Sequence, residues 1–456
     1  MNPAEAIPAP RAPIWWHNLQ FWRNPLTFME TLHRDYGDIV AISPKHIFIF
    51  SADYNQQALN NAQQFHTVKV PFPTPPNSAL ARLFTIPGQM NGPENRHQRQ
   101  IMLTTLHQKY YDRYYQGIVQ VITHHLATWR VGQTRDMLPE MNQITLKTPC
   151  QAIFDLDPDG EGQQVVKLIE AWGDTLIASN TTLFPFNLKG LPYHHLLRIS
   201  EQLETEYTRL IQRQRARGLP SEAPLSYLIE QYDEKHLTWA ELIGQMNNLF
   251  NAGNTSRAAV LAWTLFLISQ HPDFLGMVQA ELRRNVAGNI PTAAELANLP
   301  LLEAAIKETM RLLPPVSWFS RTVMADTQLG DYPIANGTTI ICSPFVIQRH
   351  PDIYPQPHRF WPERWLTTTP NIYAYLPFGA GPRACVGSNL ALFEMKLVLA
   401  MILQQYQLTP PAQAVINSTG VMVSMPQAMP LELWPREVPF IKRSVRGNIH
   451  ESVNLA

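Results

Sequence analysis

The sequence predicts a mainly α-helical fold with small β-sheets, an α+β molecule built as a single domain over residues 1–456. Three observations predict it. Apolar residues recur at helical spacing from about residue 95 to 313. Short β-branched and aromatic runs flank that stretch on both sides. No internal repeat, low-complexity tract or long linker divides the chain, and a hydrophobic content of 45% is enough for one sizeable core.

In chain order, residues 1–12 are rich in proline and alanine and are expected to be loosely ordered. They lack a basic region followed by an apolar core, so they are no signal peptide. The tryptophans of Ile14-Trp15-Trp16-His17 are expected to pack at the chain entry rather than touch a membrane surface. Asp38 to Phe50 reads as two short strands turning at Ser43-Pro44-Lys45. Leu196 to Arg217 reads as a long helix stopped by Gly218, with Arg209, Arg213, Arg215 and Arg217 placed to complement its C-terminal dipole. Asn247 to Trp263 continues the helical pattern, and Glu303 to Leu313 is an apolar-patterned helix closed by Pro314-Pro315. Thr322 to Ile341 returns to strands, with turns at Gly330-Asp331 and Asn336-Gly337. Val415 to Leu433 reads as a terminal hairpin, and the polar segment 441–456 is expected to be loosely ordered.

Lys plus Arg and Asp plus Glu both number 36, a balance that speaks against a nucleic-acid partner. Three cysteines cannot form a secreted disulfide framework and suit a reducing cytoplasm. Of these, Cys342 lies in a strand-like run and Cys150 follows Pro149, so both are expected to be packing residues. The longest apolar stretch, near Ala258 to Ile268, is far short of the ~20 residues a membrane span needs.

Cys385 is different. It stands in Phe378-Gly379-Ala380-Gly381-Pro382-Arg383-Ala384-Cys385-Val386-Gly387, just ahead of the apolar stretch Leu390 to Leu403. A helix N-terminus favours a thiolate there. Gly379, Gly381 and Gly387 would let the backbone turn tightly against something flat, Arg383 would bind an acidic group, and Phe378 would shield the sulfur from water. Such a set describes a thiolate ligand for haem iron.

The run fits F-x-x-G-x-R-x-C-x-G at every fixed position, and in this the chain resembles the cytochrome P-450 family. The resemblance runs through nearly the whole chain and implies the cytochrome P-450 fold, haem b (iron protoporphyrin IX) on the Cys385 thiolate, and O2 as co-substrate. Glu308 and Arg311 match the family's E-x-x-R helix, and Arg364 its P-E-R-F-like segment, with Trp365 in place of the usual phenylalanine. These three are implied to form a structural cluster supporting the cysteine loop. For the haem propionates the resemblance implies Arg383, then Arg321, then Arg99; Asn95 departs from the Trp or His expected four residues before Arg99, and His97 is a substitute for it.

Between Asn247 and Trp263 the family carries an A/G-G-x-D/E-T-T/S pattern, at which the helix crossing the haem opens. Anchoring on Ala252-Gly253 puts Thr255 at the acid position and Ser256 at the threonine position; anchoring on Thr255 puts Asn254 at the acid position. Either way hydroxyls are present and the carboxylate is not, which leaves water held by Thr255, Ser256 or Asn254 to deliver protons. The implied activity is a monooxygenase that inserts one oxygen atom into a lipophilic small molecule such as a terpenoid or fatty acid. Rearrangement of a hydroperoxide, as in allene oxide synthase-like relatives, and a non-enzymatic haem sensor are the alternatives. Phe72, Phe84, Leu249, Val316, Trp318, Phe319 and Met422 are candidates for the pocket, with Lys69 and Arg82 near enough to hold a carboxylate. No reductase module is apparent, so electrons are expected from a separate ferredoxin and ferredoxin reductase, and a cytoplasmic monomer is expected.

Overall fold

The computed structural model describes residues 6–68, 74–178, 181, 184–220, 223–288, 290–419 and 422–455. The chain forms two compact units: residues 1–68, 128–142 and 255–456 make one, and residues 69–127 and 143–254 the other.

The first unit holds the sheets. Its main sheet runs in the order Ile39–Ser43, His46–Ile49, Thr339–Cys342, Phe319–Val323, Phe65–Thr67. All neighbours are antiparallel except His46–Ile49 and Thr339–Cys342, which are parallel and pair His46 with Thr339 and Ile49 with Cys342. The expected turn between the first two strands is present, and Thr327–Leu329 with Tyr332–Ile334 forms the hairpin signalled by Gly330-Asp331. Beneath the main sheet, Ile49, Leu59, Ile340 and Cys342 share one core with Leu376 and Ala380, so the chain leading into the cysteine loop rests directly on the sheet's apolar face. The Ser388–Gln405 helix behind the loop is buried without a break from Glu394 to Leu403, which explains its apolar character all round.

Three expectations for this unit fail. The tryptophans of the Ile14–Arg23 helix do not pack inward: His17 is buried and Phe21, one turn on, joins the core, which turns Trp15 (64% exposed), Trp16 and Trp22 outward. The partner of strand Pro430–Pro435 is not the chain after Val415 but Tyr406–Thr409, with Thr134–Asp136 on its other edge. Within 415–433 itself only a bridge between Ser418 and Pro426 forms among the described residues. The described parts of the two terminal segments are tied down, residues 1–5 and 456 lying outside the described residues. Ile7 packs on the main core and Pro8 O accepts from the Ala41 amide. Residues 441–455 bury Val445, Ile449, Val453 and Leu455 around a short Ile449–Ser452 helix, and the Asn454 amide donates to His358 O.

The second unit is helical: Gly92–Thr105, Tyr111–Leu126, Gln163–Ile177, Pro192–Ala216, Pro224–Asp233 and Trp239–Asn251 are its principal helices. The long helix predicted at Leu196 to Arg217 is Pro192–Ala216, and Gly218 follows with a left-handed φ of 79°. Its four arginines are all ion-paired, Arg209 to Glu206, Arg213 to Glu161, Arg215 to Asp233 and Arg217 to Asp155, so this end of the helix is a charge-matched surface. The Phe250 ring is stacked on Phe154 at 3.9 Å and on Tyr207 at 5.5 Å. No helix among the described residues is long and apolar enough to cross a membrane.

Candidate active site

The cysteine loop is closed by its own backbone. Gly379 N–H donates to Leu376 O, Ala384 N–H to Gly381 O, and Cys385 N–H to Phe378 O at 2.8 Å. Gly379 and Gly381 have φ of 67° and 70°, which L side chains rarely adopt. At Gly381 a Cβ would also stand 2.5 Å from Leu59 O, so this glycine lets the loop close on the Ala52–Asn60 helix rather than on a flat ligand. Gly387, at φ −95°, is ordinary and caps the Ser388–Gln405 helix. Cys385 is the exposed cysteine of the three. Cys150 and Cys342 are the packing residues expected, and burial pushes each of their thiols up to about 12, away from thiolate chemistry.

Glu308, Arg311 and Arg364 do meet. In the Pro300–Leu312 helix, Glu308 receives Arg311 Nε and Nη2 at 2.9 Å each, with both side chains fully buried. Arg364 Nε reaches the same carboxylate at 3.2 Å, and the Trp361 amide and Trp365 Nε1 add one bond each at 2.9 Å. Trp365 thus contributes an indole N–H that a phenylalanine would lack. Arg311 Nη1 donates to Gln348 O and Pro357 O, and Arg364 to Pro355 O. This satisfaction of buried charge is what such a cluster needs to persist. Gln348, which the sequence reading missed, carries the cluster's position to the loop: its amide nitrogen donates to Met310 O and Arg311 O, and its oxygen accepts from the Leu376 amide.

Arg321 is half-buried on strand Phe319–Val323, and desolvation holds its guanidinium below the usual range. Its Nη1 donates to Ser320 O, and no carboxylate among the described residues pairs with it. Arg383 is half-buried on the Gly381–Arg383 turn, two residues before the sulfur. An exposed thiol at a helix N-terminus and a desolvated, acid-free guanidinium in one unit form a donor set that fits haem, a soft anionic ligand for iron and a cation for an anionic edge. Arg99 lies in the other unit, half-buried on Gly92–Thr105. Its expected neighbours are otherwise engaged: Asn95 Nδ2 donates to Pro87 O at 2.6 Å, and His97 Nε2 bonds His236 O at 2.8 Å.

The helix expected over Asn247 to Trp263 is two helices, Trp239–Asn251 and Asn254–Ser269. The interruption falls at Ala252-Gly253, where Gly253 takes a left-handed φ of 77°. Asn254 spans the break, with its amide donating to Phe250 O and its own carbonyl accepting from Thr145 Oγ1. That bond uses one of the two hydrogens of its side-chain amide, and the hydroxyls of Thr255, exposed, and Ser256, half-buried, stand in the first turn of the second helix. One turn on, Arg257 forms an ion pair at 3.3 Å with Glu394 of the Ser388–Gln405 helix, whose side chain is 2% exposed. The pair joins the hydroxyl-bearing helix to the helix that the cysteine loop leads into. A lone acid inside the apolar run Leu390 to Leu403 was the sequence signal for it.

The pocket candidates scatter. Phe72 and Lys69 lie outside the described residues. Trp318 is half-buried against a core, its ring 5.1 Å from Phe21, and Phe319 packs on the main sheet's core under the Arg321 guanidinium. Val316 is half-buried and Met422 46% exposed, and the two are brought close where the Ser317 amide donates to Met422 O. In the other unit, Phe84 packs on Trp172 and Leu249 is buried. Arg82 is held by both oxygens of Glu204 at 2.6 and 2.7 Å, so it is not available for a substrate carboxylate without breaking that pair.

The Cytochrome P450 family profile matches residues 7–430. A pentalenene oxygenase of Streptomyces avermitilis is 28% identical over 93% of this chain and 96% of its own. A cyclooctat-9-en-7-ol 5-monooxygenase of Streptomyces melanosporofaciens is 26% identical over 93% of this chain and 94% of its own. Among solved structures, a retinoic acid bound cyanobacterial CYP120A1 superposes with a TM-score of 0.81 at 22% identity, covering 95% of this chain and all of that one. With the cysteine loop, the buried Glu308 cluster and this match across the chain, the protein belongs to the cytochrome P450 family and is a monooxygenase of it.

Proposed function

We propose that the protein inserts one oxygen atom of O2 into a terpenoid, with haem b held by the Cys385 thiolate and electrons delivered by a separate ferredoxin and ferredoxin reductase. The observation that carries the haem assignment is the exposure of Cys385 in a loop that opens a helix, while the other two cysteines are buried. When bound, haem with a thiolate ligand supplies the one-electron and O2 chemistry, the thiolate favouring O–O cleavage. Cys385 would ligate the iron from the loop ahead of the Ser388–Gln405 helix, Arg321 and Arg383 would hold propionates, and the Glu308–Arg311–Arg364 cluster fixes the loop. Thr255 Oγ1 and Ser256 Oγ each accept a hydrogen bond from water and pass a proton on, roles a hydroxyl can fill without ionising. Two terpenoid oxygenases among the relatives support that substrate class over fatty acids, and so does the engagement of Arg82 by Glu204. A cytoplasmic monomer is the accompanying reading, and a chain that passes between the two units four times supports its being one domain.

The test is spectroscopic. Cys385→Ala should remove the thiolate signature from the haem absorption spectrum, and Cys150→Ala and Cys342→Ala should keep it; a thiolate spectrum surviving in Cys385→Ala overturns the ligand. Titrating the ferric protein with terpenes, fatty acids and steroids should shift the spin state with terpenes first. A shift with fatty acids alone overturns the substrate class.

A further inference from the structure

Away from the cysteine loop, three side chains with no part in the proposed chemistry converge. His33 is in the last turn of the Pro25–Tyr36 helix, Asp38 follows the Gly37 that ends it, and His350 lies just past the Pro344–Ile347 helix. One ligand atom from each lies within 4.8 Å of the others. His33 Nε2 stands 3.1 Å from Asp38 Oδ1, and the His33 and His350 ring centres are 5.4 Å apart with their planes tilted by 53°. An ion pair between His33 and Asp38 accounts for two of the three. It does not account for His350, whose Nδ1 is buried with no hydrogen-bond partner among the described residues. The Asp352 carboxylate is 3.9 Å from that nitrogen, beyond hydrogen-bond reach. A buried ring nitrogen without a partner calls for an explanation, and an ion is one.

We propose that His33, Asp38 and His350 bind a divalent transition-metal ion, Zn2+ foremost, with Asp352 or water as the fourth ligand. Two imidazoles and a carboxylate are a borderline N/O set that suits Zn2+, whereas Ca2+ and Mg2+ take oxygen ligands. Donor atoms on a tetrahedral zinc stand roughly 3.3 Å apart, so the present spacing closes by about an ångström of side-chain rotation. The site is structural. It clips the end of the Pro25–Tyr36 helix to the segment that begins at Gln348, and Gln348 and Arg349 bond Leu376 N–H and Leu312 O respectively. The ion therefore stiffens the chain that supports the cysteine loop without touching the proposed chemistry, and the inference does not depend on the substrate assigned above.

The experiment uses the tag-free haem-containing protein, stripped with chelator and titrated with Zn2+. Bound zinc is counted against haem iron by elemental analysis after desalting, and thermal midpoints are recorded alongside. One zinc per chain and a raised midpoint are expected, with affinity falling at least the roughly tenfold that even an outer-shell partner is worth in His33→Gln and in His350→Gln. Exposed His195→Gln should bind as the parent does. No retained zinc, or stoichiometric zinc in both histidine variants, overturns the proposal and marks an adventitious ion only. If either variant fails to retain haem, X-ray absorption at the zinc edge of the parent decides: two imidazole nitrogens with carboxylate oxygen support the site, and any other shell overturns it.

Discussion

Replacing Glu308 with Gln asks how much of this fold hangs on one carboxylate. Glu308 accepts hydrogen bonds at both oxygens, from Arg311 Nη2, the Trp361 amide and Arg364 Nε at one, and from Arg311 Nε and Trp365 Nε1 at the other. An amide of the same shape must turn its NH2 towards one of these two sets, so at least two donors meet a donor. Two guanidiniums also lose their counter-charge where Glu308 and Arg311 are 0% exposed. Removing one partner of a buried pair costs about 3–5 kcal/mol. Arg311 and Arg364 retain backbone carbonyls at Gln348, Pro357 and Pro355, which argues for the lower end, ~3 kcal/mol. Against a total stability of about 5–15 kcal/mol that is a fifth or more. Urea unfolding followed separately by far-UV ellipticity and by haem absorption measures it, because a bound prosthetic group spoils a single two-state fit. The midpoint should fall in both signals, while Glu201→Gln, on the exposed face of Pro192–Ala216, should leave it unchanged. A Glu308→Gln loss below about 1 kcal/mol, the worth of an exposed pair, would refute the reasoning.

Arg321→Gln removes the desolvated cation and should speed haem loss to an apomyoglobin acceptor, with Arg321→Lys intermediate. Glu394→Gln leaves Arg257 without its carboxylate in a nearly buried place and should destabilise by about 3 kcal/mol. If that pair positions the hydroxyl helix, the fraction of electrons lost to peroxide should rise in the same variant, and Glu394→Asp should partly restore coupling. Stability should fall with acid below neutrality, because burial holds His271 and His358 below the ordinary histidine value. A base with a lowered folded pKa is protonated first in the unfolded chain, so stability is lost as pH drops below about 6.5. The double variant His271→Gln/His358→Gln should flatten that decline in urea midpoints measured from pH 7.5 to 5.5.

What the sequence made legible was local. The cysteine loop, the E-x-x-R helix and the Asp38 to Phe50 strand pair each lie within a dozen or so residues, where spacing alone fixes which side chains share a turn or a face. What it hid was pairing across long separations. Glu394 and Arg257 are 137 positions apart on helices that each look simply apolar. His350 meets His33 only because the main sheet brings the two chain segments together. An opening of the helix near Ala252-Gly253 was implied by the resemblance alone; its form, a positive φ at Gly253 and the Asn254 bond to Phe250 O across the break, was not. The last segment was misread for its polar composition, although Val445, Ile449 and Val453 recur every four residues and all turn inward.

The order of strands in the main sheet has a consequence for synthesis. His46–Ile49 leaves the ribosome early, but its parallel partner Thr339–Cys342 follows roughly 290 residues later, some 15–60 s at ordinary elongation rates. Through that interval the nascent chain carries an apolar edge, Ile47 to Ile49, with one flank unpaired, and such edges recruit other chains. Cys385 emerges later still. Haem capture by the proposed thiolate thus comes after both strands have been made, and slowed elongation between them should lower the yield of haem-loaded protein unless a chaperone guards the first hairpin.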